Sequence, residues 1–175
     1  MLNQARFLFS SAHYGYLNSD ILVSTELFRT LHECQHLVSR GVVKPNYLLA
    51  GRVHEIDISL IPSIPTSSEP FDSIVFRLAN SSRAALRHIH SADYFVFSSA
   101  MDLSKLHNVV VGRSRIDNYL MDVPRRQGGS LIDATLQIPA VHQGLCGFMC
   151  RAKPMRLSFM NHNWNRFYLL SPWVG

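Results

Sequence analysis

Short apolar runs that alternate with segments of helical periodicity are the feature that most constrains the fold of this chain. YLLAGRV (47–53) and DYFVF (93–97) are rich in aromatic and aliphatic residues and are too short for most helices, so they predict buried strands. Ahead of the first run, apolar side chains recur at helical spacing at Leu27, Phe28, Leu31, Cys34, Leu37 and Val38. This alternation predicts an α/β fold, with a mixed sheet and flanking helices.

The other segments extend the same pattern. Residues 14–23 predict a strand with a polar interruption, and SLIDAT (130–135), after the turn signal QGG, predicts another strand. Two further helices are predicted over 2–13 and over 82–90, the second capped by Ser81 or Ser82. Ser24 or Thr25 can cap the helix that Gly41 ends, and the prolines at 62, 65 and 70 predict a loop.

Composition points to one globular domain with an excess of positive charge. The 175 residues are 47% hydrophobic and 17% charged, with a net charge of +5 and a pI near 9.4. No acidic residue follows Asp133, whereas Arg151, Lys153, Arg156 and Arg166 do. An anionic partner is therefore expected, and charge alone leaves nucleic acid, a nucleotide phosphate and a merely basic tail open.

The cysteines and the N-terminal sequence bear on the compartment. Three cysteines do not make a disulfide framework, which favours a reducing environment. The N-terminus lacks the apolar core of a signal peptide, and no apolar run reaches the length that spans a membrane. The default expectation is a cytoplasmic protein.

The first candidate site is the polar interruption Asn18-Ser19-Asp20, inside the apolar stretch YLNSDIL. A carboxylate and an amide oxygen at the end of a strand suit a hard divalent cation, and ligands gather at such strand ends in α/β sheets. Asn, Ser and Asp are also common turn residues, so a simple turn is the alternative interpretation.

Two further candidates follow along the chain. Gly112 and Arg113 can approach a phosphate closely, and Asp117, four residues after Arg113, can act as a general base. The alternative is an ordinary helix start with an Arg/Asp pair. His142 is a possible metal ligand; its four-residue spacing from Cys146 and Cys150 suggests zinc, but Gly144 and Gly147 disfavour the helix that would align these groups.

Five segments in order resemble the nucleotide-diphospho-sugar transferases of the GT-A fold. They are YLNSDILVS, LLAGRV, ADYFVFSSAMD, VVVGRSRIDNYLM and GGSLIDATLQIPAVHQ, which together run from about residue 14 to residue 143. They match the patterns Y-x-N-x-D-I, D-Y-F-x-F and G-R-x-x-x-D-N-x-L of a glycosyltransferase-like group, and the last segment carries the group's D-A-T and H-Q with six residues between them.

The resemblance implies a function for each candidate. Asp20 would stand at the acid of the family's DxD motif and bind Mn²⁺ or Mg²⁺, with Asn18 at the first position of the motif. Asp117 would be the general base, and His142 a further metal ligand. Arg113, next to Gly112, would neutralise the diphosphate leaving group. The expected partners are a nucleotide-sugar donor and a hydroxyl acceptor.

The chain departs from that family in two places. Few residues precede Asn18, so most of the nucleotide-binding half is expected to be missing, and an inactive or incomplete enzyme is possible. From Gly144 the sequence changes to a basic, hydrophobic tail, which divides the chain into 1–143, a partial GT-A-like domain, and 144–175, a possible self-association segment.

The rival function is a non-catalytic basic module that binds phosphate or nucleic acid. The aromatic residues Tyr94, Phe95 and Phe97 lie within an apolar strand without interleaved basic residues, which does not favour an RNA-binding surface.

Overall fold

The structure, a computed structural model, describes residues 2–57, 70–88, 91–109 and 115–143. These residues form an α/β fold with two mixed four-stranded sheets, which confirms the predicted class. The helices are α1 (Leu2–Leu8), α2 (Glu26–Ser39), α3 (Phe71–Ala79) and α4 (Ile116–Arg126). The strands are β1 (His13–Leu17), β2 (Ile21–Val23), β3 (Tyr47–Gly51), β4 (His54–Glu55), β5 (Ala85–Leu86), β6 (Tyr94–Ser98), β7 (Ser130–Asp133) and β8 (Ala140–His142).

The strands divide between two sheets. Sheet A has the order β1-β6-β3-β7, in which β6 is antiparallel to both of its neighbours and β3 is parallel to β7. Sheet B has the order β2-β8-β4-β5, in which β8 is parallel to β4 and the other two pairings are antiparallel. Both sheets are therefore mixed.

Consecutive strands carry the chain from one sheet to the other. It passes from sheet A to sheet B after β1, after β3 and after β7. The polar residues Asn18–Asp20 form the first of these crossings, between β1 and β2. The interruption within YLNSDIL is thus the point where one strand ends and a strand of the second sheet begins.

The two central strands of sheet A, β3 and β6, are buried on both faces, which explains their continuous apolar sequences. Alternate side chains of a strand point to opposite faces. Accordingly, Leu48, Phe95 and Phe97 pack in a cluster with α4, whereas Leu49 and Val96 pack in a second cluster with Cys34 of α2. All of β3 and β6 is buried, as expected for strands between two helical layers.

A third, smaller cluster covers sheet B. Ile74, Val75 and Leu78 of α3 pack against Val141 of β8, together with Ile56 after β4. Burial of these side chains holds α3 against the strand that carries His142.

The helix predicted over 82–90 is wrong. Residues 81–83 form a turn and Ala85–Leu86 forms β5, paired with His54–Glu55. Contacts of Arg87 with distant residues outweigh the local helix propensity. Its backbone N–H donates to the Val53 carbonyl at 3.0 Å, and its side chain forms ion pairs with Glu55 and Asp93. Most of the predicted proline-rich loop lies outside the described residues. Pro70, near its end, occupies the N-cap of α3, where its missing N–H costs no helical hydrogen bond.

The helix predicted between Thr25 and Gly41 is confirmed. Thr25 is the N-cap of α2, but its own side chain does not cap the helix. Gly41 follows the helix in a left-handed conformation with φ of 72°, which glycine adopts without steric cost.

Candidate active site

Asp20 and His142 lie together where β2 pairs with β8. His142 Nε2 is 2.9 Å from Asp20 Oδ2, and the Gln143 backbone N–H donates to the Asp20 carbonyl at 2.8 Å. Antiparallel pairing of Ile21 with His142 brings these positions together although the chain separates them by more than a hundred residues. The Asp20 side chain is half exposed, whereas that of His142 is largely buried.

Asn18 is engaged within the crossing itself. Its side-chain oxygen accepts a hydrogen bond from the Tyr16 hydroxyl at 2.5 Å, and its backbone carbonyl accepts one from Ile21 N–H at 3.2 Å. The turn expected from Asn-Ser-Asp is therefore present. A turn is compatible with Asp20 as a ligand, because the carboxylate of Asp20 remains directed to His142 and to solvent.

Asp117 lies in the first turn of α4, as the sequence predicted. Burial and then the negative charge of Asp93 raise the pKa of Asp117 to about 6, while a hydrogen bond from the Ala92 backbone and the charge of Arg87 act in the opposite direction. Arg115, the residue before α4, has φ of 71°, a conformation that non-glycine residues seldom adopt and that is enriched at functional sites. Gly112 and Arg113 lie outside the described residues.

Asp93, Arg87 and Glu55 form an ionic triad that sequence reasoning missed. Arg87 Nε is 2.6 Å from Glu55 Oε1, and an Arg87 terminal nitrogen pairs with Asp93 Oδ1. Asp93 is only 3% exposed, and its second oxygen, Oδ2, is buried and has no hydrogen-bond partner among the residues that the structure describes. An acid directly before the apolar run YFVFS was the available signal, because a buried strand rarely begins with an unpaired charge.

The hydroxyl of Tyr16 lies within reach of the charges of three acids, Asp20, Asp93 and Asp117. Burial raises the pKa of its hydroxyl, and the charges of Asp117, Asp20 and Asp93 raise it further. These three acids come from the β1–β2 crossing, the start of β6 and the start of α4. The fold therefore gathers acids that are far apart in the sequence, including the predicted Asp20 and Asp117.

One cavity lies near these acids, and a larger one lies at the other end of the central strands. A cavity of about 180 Å³ is lined by Tyr16, His107 and Ile116, among others, and so adjoins the start of α4. A larger cavity of about 630 Å³ is lined by Asn46, ahead of β3, and Ala100, after β6. The larger cavity therefore lies at one end of β3 and β6, and Asp93 lies at the other end. We place the candidate site at the cluster of acids and not at the larger cavity, because acids with shifted pKa values indicate a functional site better than cavity size does.

The residues present fit a weakly held divalent cation. Asp20 and His142 supply two ligands, and Mg²⁺ commonly binds through one or two carboxylates together with water and phosphate oxygens. Within the described part of the chain, no group of three His, Cys, Asp or Glu side chains could hold a metal ion. His142 Nδ1 is buried and has no hydrogen-bond partner in the described ranges, whereas metal-bound histidines usually donate a hydrogen bond from the nitrogen that does not bind the metal. Cys146 and Cys150, considered for zinc, lie outside the described residues, as does the segment 144–175 predicted to self-associate.

Comparisons with known proteins leave the family open. No family model matches the chain, and no curated protein and no solved structure is significantly similar to it. Among the residues that the structure describes, no helix is long and apolar enough to cross a membrane. The resemblance to GT-A glycosyltransferases accordingly stays a prediction. The acids around Tyr16 are the structural features that bear on function.

Proposed function

We propose that the chain is a glycosyltransferase-like domain that transfers a sugar from a nucleotide-sugar to a hydroxyl acceptor. The observation that supports this most is that the charges of Asp20 and Asp117, from two different elements, act on the hydroxyl of the same partly buried residue, Tyr16. The first acid is paired with an imidazole, and the pKa of the second is raised to about 6. A cation ligand and a proton acceptor in one neighbourhood are what such a transfer needs.

In this proposal Asp20 and His142 hold Mn²⁺ or Mg²⁺ at the sheet crossing. The cation would supply positive charge to the diphosphate of the donor. The chain's own contribution is to present the half-exposed Asp20 carboxylate beside the largely buried His142 ring, whose Nε2 would turn from Asp20 to the cation. Arg113 and Gly112 are proposed to face the same diphosphate.

Asp117 is the proposed general base. Its raised pKa makes it a stronger base than an ordinary aspartate while it remains mostly ionised at pH 7. The acceptor oxygen forms a bond to the sugar carbon, its proton passes to Asp117, and the bond from that carbon to the diphosphate oxygen breaks, so that the diphosphate leaves with the electron pair. The cavity lined by Tyr16 and by Ile116, the residue before Asp117, offers space for an acceptor group.

A thermal melt of the full chain with Mn²⁺ and a panel of nucleoside diphosphates tests the proposal. A ligand present at 100 times its Kd stabilises the folded state by about 2.7 kcal/mol, which corresponds to a rise of roughly 5–10 °C for a chain of this size. We expect such a rise only when metal and nucleotide are both present. Asp20→Ala should abolish it.

Glu33→Ala is the matched control, because Glu33 is an exposed acid on α2 that belongs to none of the proposed site groups. It should show the same rise as the unmodified chain. A cooperative melt with no rise for any nucleotide would reject the metal-nucleotide site. Salt-dependent binding to a random oligonucleotide in its place would support the basic binding module.

A further inference from the structure

We propose that the cavity of about 630 Å³ beside the end of α4 is a second binding site, which takes a small organic anion with an apolar body. The anionic group would lie between Lys105 and Arg126, and the apolar body would lie against Tyr119 and Val123. This proposal is independent of sugar transfer.

The cavity has the size and the lining of a small-molecule site. Such sites measure about 300–1,000 Å³ and combine an apolar wall with a few polar groups. Here Tyr119 and Val123 of α4 form a buried apolar wall, and Ala100 lines the cavity from an exposed position. Asn46 and Gln127 contribute side-chain amides. The lining therefore offers apolar contact together with polar groups that can orient a ligand.

Hydrogen bonds hold the walls of the cavity in place. Gln127 binds the backbone of Asp102 twice, since its Oε1 accepts from the Asp102 N–H and its Nε2 donates to the Asp102 carbonyl, each at 2.9 Å. Asn46 Nδ2 donates to the Gln127 carbonyl at 2.9 Å, and the His107 N–H donates to the Tyr119 hydroxyl at 2.6 Å. These bonds join the segments before β3 and after β6 to α4. A cavity that is already formed costs less to order when a ligand binds.

Positive charge predominates around the cavity. Lys105 and Asp102 both line it and form an exposed ion pair, with Nζ 3.5 Å from Oδ2. Arg126, which also lines it, shares the acid Asp122 with Arg125. Three basic side chains are therefore matched by only two acids, and the excess positive charge stands beside an apolar wall. An anion that carries an apolar group complements both features.

The end of α4 does not oppose an anion as strongly as a bare helix end would. The last carbonyls of a helix carry partial negative charge when they have no partners. Here the carbonyls of Val123, Pro124 and Arg125 all accept backbone hydrogen bonds from residues 127–129. These bonds, with the arginines of the last turn, reduce the negative potential that a bound anion would meet.

The experiment is an NMR titration of the full chain with 8-anilinonaphthalene-1-sulfonate, an organic anion with an aromatic body, followed at the Val123 methyl groups. N-phenyl-1-naphthylamine, which has the same rings without the sulfonate, is the neutral probe. We expect the Val123 methyl resonances to shift along a saturable curve with the anionic probe. Lys105→Gln and Arg126→Gln should each weaken its binding about threefold, because both charges lie at an exposed rim, and should leave binding of the neutral probe unchanged.

Arg40→Gln is the matched control, because it removes an exposed positive charge at the C-terminal end of α2. It should leave the curve for the anionic probe unchanged. An equal weakening in Arg40→Gln and in the rim variants would overturn the proposal, as would an equal loss of the neutral probe in the rim variants. If neither rim variant folds, the unmodified chain still decides: Val123 methyl groups that do not move as the anionic probe is added would refute the site.

Discussion

The carboxyl group of Asp117 makes the folded state sensitive to pH. The pKa of Asp117 is raised from 3.8 to about 6, so the folded chain binds this proton more tightly than the unfolded chain does. The contribution to stability is complete below pH 3.8 and is lost as pH rises through about 6. We expect Asp117→Asn, which cannot ionise, to raise the free energy of unfolding at pH 8 by on the order of 1 kcal/mol, allowing for solvent screening.

Urea denaturation at pH 8 and pH 4 measures this effect, and the gain should disappear at pH 4. Asp122→Asn on the same helix is the matched control with the opposite sign, because hydrogen bonds from Arg125 and Arg126 lower the pKa of Asp122. That variant should lose stability at pH 8. A loss in Asp117→Asn at pH 8 would show that the hydrogen bond from Ala92 outweighs burial.

Helix α2 is capped by a residue from another helix. The Thr25 backbone N–H donates to Asp72 Oδ1 at 2.8 Å and the Thr25 hydroxyl donates to Asp72 Oδ2, which lowers the pKa of Asp72. The stabilisation is present above pH 3.8 and is lost as pH falls through the lowered value. We expect Asp72→Ala to lower the urea midpoint at pH 7.

The double variant of Asp72→Ala with Thr25→Val measures how much of this loss comes from the pair. If the two groups act together, the double variant should lose less than the sum of the two single losses. Additive losses would mean that Asp72 acts on the α3 dipole alone.

Elements governed by local pattern could be predicted from sequence, whereas elements fixed by distant contacts could not. The periodicity of α2 and the apolar runs of β3 and β6 were sufficient to place them. The local pattern of residues 82–90 predicts a helix, because nothing local reveals that Arg87 pairs with Glu55 and Asp93. The sequence identifies Asp20 and Asp117 as candidate site residues from their local motifs, but it does not identify Asp93, whose partner Arg87 is known only from the fold.

The two sheets differ in burial, and their stabilities should differ accordingly. β3 and β6 lie in the interior of sheet A with every residue buried, whereas both residues of β5, in sheet B, are exposed. Amides in the buried strands should exchange only on global unfolding, and those of β5 by local opening. Hydrogen exchange followed by NMR across a range of urea concentrations checks this. Equal protection in β5 and β6 would mean that the two sheets open as one unit.

The repeated passage between the sheets has a consequence for how such a chain can diverge. At the first passage, Asn18–Asp20 carries the candidate ligand, while the strands on either side contribute Tyr14 and Ile21 to buried clusters. The residues that could bind a ligand are thus different from the neighbouring residues that pack in the core. Substitutions at Asn18–Asp20 could therefore change which ligand is bound without changing the packing of the core.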